Sequence, residues 1–451
     1  MTANAETGAG LSAEADYPPR LQAWTMVLIL LVLYLISGLD KNIVALLADD
    51  IGKQLELTDQ QLGLLLGPAF AISFAFGALP WGWAMDRFDR RKILGLGVVT
   101  MSLGTICSGI SKTFPQLLVS RTIVGGGESV LIPGNQSIIT DIFPPERLAF
   151  PFAVCSMGLK LGEGISFAVG GLLVAVIAPS AVLMVPVIGD MHGWQAILVI
   201  VGTTGSLFAL SLLFVQPPPR RNLVGAGGGG SGYGRYLRYM KENPRFFIGT
   251  HLGGALGVTV SAIVNAWGPV HFIRSHGLAT SEVGVWLGAV MVAGPIIGLP
   301  IHGLVIDRLF RKGKRDVHAR YLSIMFAVAA LPLVAAFLVT DYRVGFVLLA
   351  VGNTLFGVFG MLGPVVLQMM LPGHLRGKGA AVLALVTALA GMSLGPVLVA
   401  TISQTILGDA ASIGLAAAIC IGVCLPAASA LYALALKPIS QSYRNANPQA
   451  A

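Results

Sequence analysis

The stretch Gly82-Trp83-Ala84-Met85-Asp86-Arg87-Phe88-Asp89-Arg90-Arg91 stands directly behind a long apolar run. It returns 221 residues later as Gly303-Leu304-Val305-Ile306-Asp307-Arg308-Leu309-Phe310-Arg311-Lys312, again behind an apolar run. Both copies read G-x-x-x-D-R-x-x-R-[R/K]. One copy would carry little weight, but two in matching places argue for duplication, as in membrane proteins built from two repeats. Glycine lets two helices approach closely. An aspartate at a helix end can face a neighbouring helix N-terminus or an arginine, and the basic cluster seats the loop on the membrane surface.

The composition outside the motif agrees with a membrane protein. The 451 residues are 55% hydrophobic and 11% charged, against about 25% charged in soluble domains. Apolar runs of the ~20 residues that cross a bilayer fall near 24–48, 60–84, 93–111, 115–140, 150–178, 193–215, 245–272, 281–306, 318–340, 342–371, 378–403 and 410–436. The two motif copies lie between the second and third runs of each half. The expected fold is therefore an all-α membrane protein, with about 12 transmembrane helices in two six-helix bundles. Its expected divisions are a tail (1–23), a first bundle (24–216), a linker (217–244), a second bundle (245–436) and a tail (437–451). The polar N-terminus lacks the apolar core of a signal peptide, so the first run is expected to stay in the membrane. The Pro- then Gly-rich linker reads as flexible. Its GAGGGGSG is not followed by the Gly-Lys-Ser/Thr of a phosphate loop.

A net charge of +8 would ordinarily suggest nucleic acid. Here 22 of the 29 Lys and Arg fall in the tails, the linker and the loops on the motif's side of the membrane, and only Lys53, Lys112, Arg274 and Arg343 on the other. That bias puts both termini and the linker in the cytoplasm and makes anionic lipid, not nucleic acid, the partner of the basic rim. Cys107, Cys155, Cys420 and Cys424 lie in apolar runs without metal spacing and read as small apolar filler. No metal site, cofactor site or catalytic set is found, so no enzyme is expected.

Ionisable groups inside the runs are the informative exceptions, because each is costly there and functional by default. Sixteen uncharged residues run from Trp24 to Leu39 before Asp40-Lys41. In the fourth run Arg121 and Glu128 are seven residues apart, so they share a helix face about 10 Å apart. These four are expected to meet in one aqueous cavity holding substrate and proton. Lys160 and Glu163 in the fifth run are further candidates, one turn apart and able to neutralise each other. In the second half Asn265, Trp267, Asn353 and Phe359 are the candidates for a less charged cavity wall. The gate set at the basic end is Gly82, Asp86, Arg87, Arg90, Gly303, Asp307 and Arg308, with Arg147 and Arg376 as latch partners.

The duplicated loop resembles the signature of the major facilitator superfamily. Three further stretches resemble its Spinster-like branch: ELTDQQLGLLLGPAFAISFAFGALPWGWAMDRFDRRK, SRTIVGGGESVLIPGNQSIITDIFPPER and AWGPVHFIRSHGLATSEVG. The resemblance covers most of 24–436. It implies alternating access between two bundles, usually coupled to protons, and substrates such as lysophospholipids or sphingoid phosphates. Two departures stand out: Lys41 where the branch carries Arg, and Lys160 and Glu163 where small residues are expected. The resulting expectation is a proton-coupled carrier of an amphipathic organic anion or lysolipid-like molecule, in a bacterial inner membrane. The alternatives are a proton symporter of a small aromatic or sugar acid and, remotely, a non-transporting receptor or scaffold.

Overall fold

The computed structural model describes residues 17–144, 147–185, 189–214, 233–314, 316–372, 375–409 and 412–446, with some side chains inside these ranges, Asp86 and Lys160 among them, outside the description. Among the described residues, ten helices are long and apolar enough to cross a membrane: Arg20–Leu46, Asp59–Met85, Arg90–Ile110, Gly193–Leu213, Pro244–His276, Thr280–Arg311, Val317–Ala336, Tyr342–Met370, Arg376–Ile406 and Ile413–Gln441. The fourth and fifth crossings complete the set. The fourth is the pair Phe114–Glu128 and Leu131–Ile142, and the fifth is Ala149–Val176. The chain is thus an all-α membrane protein of about twelve spans in two bundles. One end of the molecule, the basic end, carries the basic loops; the other is the far end.

Three local features depart from the pattern of apolar runs. The fourth span breaks after Glu128, where Val130 N bonds to Gly127 O at 3.2 Å in place of the carbonyl four residues back; Pro133, a turn further on, has no N–H for the Ser129 carbonyl. Between the fifth and sixth spans, Val182–Val185 pairs antiparallel with Gly189–His192. The second part of the expected flexible linker is a helix, Tyr233–Glu242, docked through buried Tyr236, while residues 215–232 lie outside the described set.

Glycines set how closely the spans pack. In Arg121-Thr122-Ile123-Val124-Gly125-Gly126-Gly127-Glu128, a Cβ on Gly125 would lie 2.3 Å from Phe70 O of the second span. One on Gly127 would lie 2.4 Å from Met101 N of the third span. Between them, Gly126 O accepts from Trp81 Nε1 at 2.7 Å and from Ser129 Oγ at 2.7 Å. The fourth span is therefore wedged between two neighbours at backbone contact, and Glu128 is carried into the interior.

Among the described residues, the closest backbone contacts between the halves lie toward the far end. A Cβ on Gly284 would stand 2.6 Å from Gly171 Cα, and one on Gly164 2.7 Å from Val292 N, joining the fifth and eighth spans. The second and eleventh spans meet likewise: a Cβ on Gly63 would lie 2.9 Å from Pro396 O, and one on Gly67 2.9 Å from Ser393 O. Ile43, Leu47, Ile51, Leu62, Leu117 and Phe167 share one continuous apolar core with the second half. Met26, Leu30, Met85, Leu94, Val98 and Ile138, toward the basic end, form a separate core. At the basic end, Cβ atoms built on Gly82 and Gly303 meet nothing within 4 Å. The close approach expected of these motif glycines is not made in this conformation.

Gly284→Val should part the fifth and eighth spans while leaving the separate basic-end core intact. A cysteine placed at buried Val174 would then react faster with an impermeant maleimide; an unchanged rate would mean that backbone contact does not hold the far end shut.

Candidate functional site

The first span runs as unbroken helix through Asp40-Lys41, and the side chains of Asp40, Arg121 and Glu128 converge on one region of the first half. Their exposures are 0%, 2% and 8%. Arg121 Nη1 donates to the carbonyl oxygen of Asp40 at 3.4 Å. Phe70 of the second span lies against both cations, its ring centroid 5.4 Å from Lys41 Nζ and 5.6 Å from the Arg121 guanidinium. Glu128 has Lys41, Ser37 and Arg121 as its electrostatic neighbours, and Asp40 has Glu128, Thr105 and Arg121. Three of the four charges are enclosed by helices and only Lys41 is half-exposed, so the group is a buried cluster and not the wall of an open aqueous cavity.

The cluster is incompletely satisfied. Both carboxylate oxygens of Asp40, Glu128 Oε2, Arg121 Nε, Ser37 Oγ and Asn42 Nδ2 are buried without a hydrogen-bond partner of good geometry among the described residues. Each such atom costs about 1–3 kcal/mol, a cost typical of places where a ligand, water or proton acts. With both acids and both bases ionised the four side chains sum to zero, and one added proton leaves a net positive site.

A Cβ on Gly38 would lie 3.1 Å from the Gly162 carbonyl, which holds the fifth span beside this cluster. Glu163 on that span is half-buried; its expected pairing with Lys160 lies outside the described side chains. In the second half, Trp267 is fully buried and donates to Pro396 O at 2.9 Å, so it braces the seventh span on the eleventh and is not a cavity wall. Phe359 packs on Phe326 at 5.4 Å and on Phe356 at 5.9 Å. Asn265 and Asn353 are half-buried. His302 donates from Nε2 to Thr354 O at 2.9 Å, which fixes Nδ1 as the acceptor from the Tyr321 hydroxyl at 2.7 Å.

At the basic end the first motif is built mostly into its own half. Arg90 pairs with Asp141 at the end of the fourth span and donates to Ser137 O at 3.2 Å. Asp89 caps the third span through Arg91 N at 3.0 Å, and Arg87 lies 4.3 Å over the Trp83 ring. Arg147, Asp307, Arg308 and Arg376 are exposed, and Arg376 Nε donates to Leu371 O of its own segment at 3.3 Å. Sequence reasoning missed Asp141; the available signal was an acid placed just before the FPPER loop.

It also missed a clamp at the far end. Arg274, closing the seventh span, reaches into the first half with Nε 2.5 Å from Asp49 Oδ1 and Nη1 2.8 Å from Asp59 Oδ1. Thr280 Oγ1 donates to Asp50 Oδ2 at 3.1 Å, and Gln60 Nε2 to Thr405 Oγ1 at 3.3 Å. Burial would raise the Asp49 carboxyl, but the hydrogen bonds from Arg274 and Lys53 outweigh it and hold it below its ordinary value. A depressed carboxyl contributes stability above its free value and loses it as pH falls through the depressed one. Asp50 moves the other way, pushed up by burial against the Thr280 hydrogen bond; its carbonyl oxygen accepts that bond in either protonation state. The clamp therefore stays whole in neutral and mildly acid solution.

Arg274→Gln removes the cation from buried Asp59 and leaves Asp49 with Lys53 alone, a loss of up to roughly 3–5 kcal/mol by the measure of a broken buried pair. We expect a lower unfolding temperature or faster far-end thiol labelling. With Arg274 in place, labelling of the Val174 cysteine, normalised to the thiolate fraction of a free thiol, should be flat between about pH 5 and 8; a step in that range would assign the clamp a titrating role.

Comparison with known proteins agrees with this fold. The family description "Major Facilitator Superfamily" matches residues 30–396. An MFS-type efflux pump of Mycolicibacterium smegmatis is 26% identical, covering 88% of each chain. Protein spinster homolog 1 of Xenopus laevis is 25% identical over 84% of this chain and 73% of its own. The probable galactarate/D-glucarate transporter of Bacillus subtilis is 23% identical over 78% and 80%. Among solved structures, a bacterial homolog of the human lysosomal transporter Spinster, inward-facing and unoccupied, superposes with TM-score 0.78 at 22% identity, covering 95% of this chain and 98% of that one. The chain belongs to the major facilitator superfamily, resembles its Spinster branch, and is a membrane transporter and not an enzyme.

Proposed function

We propose that the protein is a proton-coupled carrier of an amphipathic organic anion of lysolipid or sphingoid type, working by alternating access in a bacterial inner membrane. The observation that carries this reading is the buried, incompletely paired cluster of Asp40, Lys41, Arg121 and Glu128 in a molecule whose halves share an apolar core and close backbone contacts toward the far end. The bias of Lys and Arg supports a cytoplasmic basic end and cytoplasmic termini; on that reading the conformation is open inward and clamped outward.

Charge arithmetic supplies the coupling. A proton taken by Glu128 or Asp40 turns a neutral cluster into a cationic one, which raises the affinity of the adjoining cleft for an anion. Releasing the proton withdraws that attraction. Lys41, half-exposed, is the cation placed to reach the anion, while Arg121 stays behind Phe70. Asp86 and Asp307 with their arginines form the cytoplasmic latch of the opposite state, in which Gly82 and Gly303 make the backbone contacts that they lack here. Arg147 and Arg376 are the latch partners.

The lipid-like substrate is supported by what the resemblance to the Spinster branch implies and by the second-half candidates Asn265, Asn353 and Phe359, none of them charged. A second reading, symport of a small organic acid, is supported by the similarity to the galactarate/D-glucarate transporter and by Lys41 as a carboxylate ligand.

Two measurements test the reading. Thermal stabilisation should favour lysophospholipids and sphingoid phosphates over sugar and aromatic acids, and should change with pH; stabilisation by a sugar acid alone would establish the second reading. In proteoliposomes, Glu128→Gln should abolish uptake driven by a pH gradient while retaining substrate binding, and full retention of driven uptake would remove Glu128 from the proton path. Asp86→Ala should leave binding intact and slow turnover.

A further inference from the structure

The helix Tyr233–Glu242 between the halves is held as a rigid element of the second half. Tyr236 is fully buried. Its hydroxyl lies 3.2 Å from His251 Nε2, while His251 Nδ1 lies 3.1 Å from the Phe247 carbonyl. A carbonyl only accepts, so Nδ1 carries the proton and Tyr236 donates to Nε2. Tyr239 Oη donates to Met370 O at 2.8 Å, and both tyrosine rings meet Phe247 edge-on, at 5.7 and 5.9 Å. Tyr236, Tyr239, Met240 and Asn243 follow the i, i+3, i+4, i+7 spacing of one helix face, and that face is the docked one.

The remaining surface has an order of its own. At about 100° per residue, Tyr233 and Leu237 come next to the docked face, and they are 53% and 52% exposed. Beyond them lie Lys241, Arg238 and Arg235, all exposed, with Glu242 the one acid. One residue, Asn243, separates the helix from Pro244, which opens the seventh span, so the helix sits where that span enters the membrane. An exposed apolar edge beside a cationic face at this level is the arrangement of an interfacial helix, and the cations complement anionic head groups.

We infer that Tyr233–Glu242 is a lipid-binding element that takes anionic phospholipid, with Leu237 and Tyr233 entering the acyl boundary and Arg235, Arg238 and Lys241 holding the phosphates. It rests on the membrane placement of the chain and not on the choice of substrate or proton. Because the helix is fastened to the second half, the bound lipid would tie that half to the cytoplasmic leaflet.

The test uses the full chain in nanodiscs of phosphatidylcholine with or without phosphatidylglycerol, reading lipid retained by native mass spectrometry and the unfolding temperature. The unaltered protein should retain phosphatidylglycerol preferentially and unfold higher in its presence. The triple variant R235Q/R238Q/K241Q should lose that preference several-fold, with its unfolding temperature in pure phosphatidylcholine unchanged. The charge-preserving R235K/R238K/K241R should keep it. Leu237→Ser, a single change at an exposed position, should weaken it and serves if the triple variant does not fold. Equal retention of both lipids by the unaltered protein, or undiminished preference in the triple and Leu237 variants, would overturn the inference. Competition by inorganic phosphate at equal charge would overturn the lipid as the occupant. Neither result depends on uptake, so failure here leaves the proton-path test standing.

Discussion

A charge inside an apolar bundle must be enclosed by protein, and enclosure requires helices to come closer than side chains normally allow. That constraint organises the first half. Glu128 is tolerable only because Gly125 and Gly127 let the second and third spans press against the fourth at backbone distance, excluding lipid from the carboxylate. Gly38 does the same for Asp40 by bringing the fifth span to the first. The glycines and the charges belong to one device: without the close approach the carboxylates would face hydrocarbon, and without the carboxylates the approach would serve only packing.

The two electrostatic groups that cross or line the halves then divide their tasks by solvation. The far-end clamp puts Arg274 against two carboxylates, and that pairing outweighs the burial of Asp49. With Asp49 held below its ordinary value, it acts as a fastener. The inner cluster has the same residue types but leaves its polar atoms unpaired, so a proton or an anion has somewhere to go. A pH-responsive carrier is therefore better served by the poorly paired group than by the well-paired one.

Much of the architecture was legible from the chain because hydrocarbon leaves few options: ~20 apolar residues cross, and Lys and Arg stay on one side. Asp40, Lys41, Arg121 and Glu128 could be brought together on paper since helix periodicity fixes which residues share a face. Their enclosure could not, because it depends on which way neighbouring helices lean. Trp267 was read as a cavity residue from its type; its partner is the carbonyl of Pro396, 129 residues away, and nothing local announces that. Arg274, Asp49 and Asp59 looked like ordinary loop charges for the same reason, since their meaning lies in a contact between halves. The helix Tyr233–Glu242 was hidden by the Gly-rich residues before it, although its tyrosine spacing was there to be read.

The motif that first suggested two repeats explains why a site can be only partly visible in one conformation. Gly82 and Gly303 are placed for backbone contact, yet each has open space where a Cβ would stand. Residues with no present use in packing still constrain the chain if a second arrangement needs them. The far end shows what such contact looks like when made: Gly63, Gly67, Gly171 and Gly284 all lie against backbone of the other half. If the basic end closes by the same geometry, the far-end contacts and the Arg274 clamp must open, since rigid halves cannot pack tightly at both ends of one cleft. On that condition, the sequence carries the glycines of two mutually exclusive interfaces.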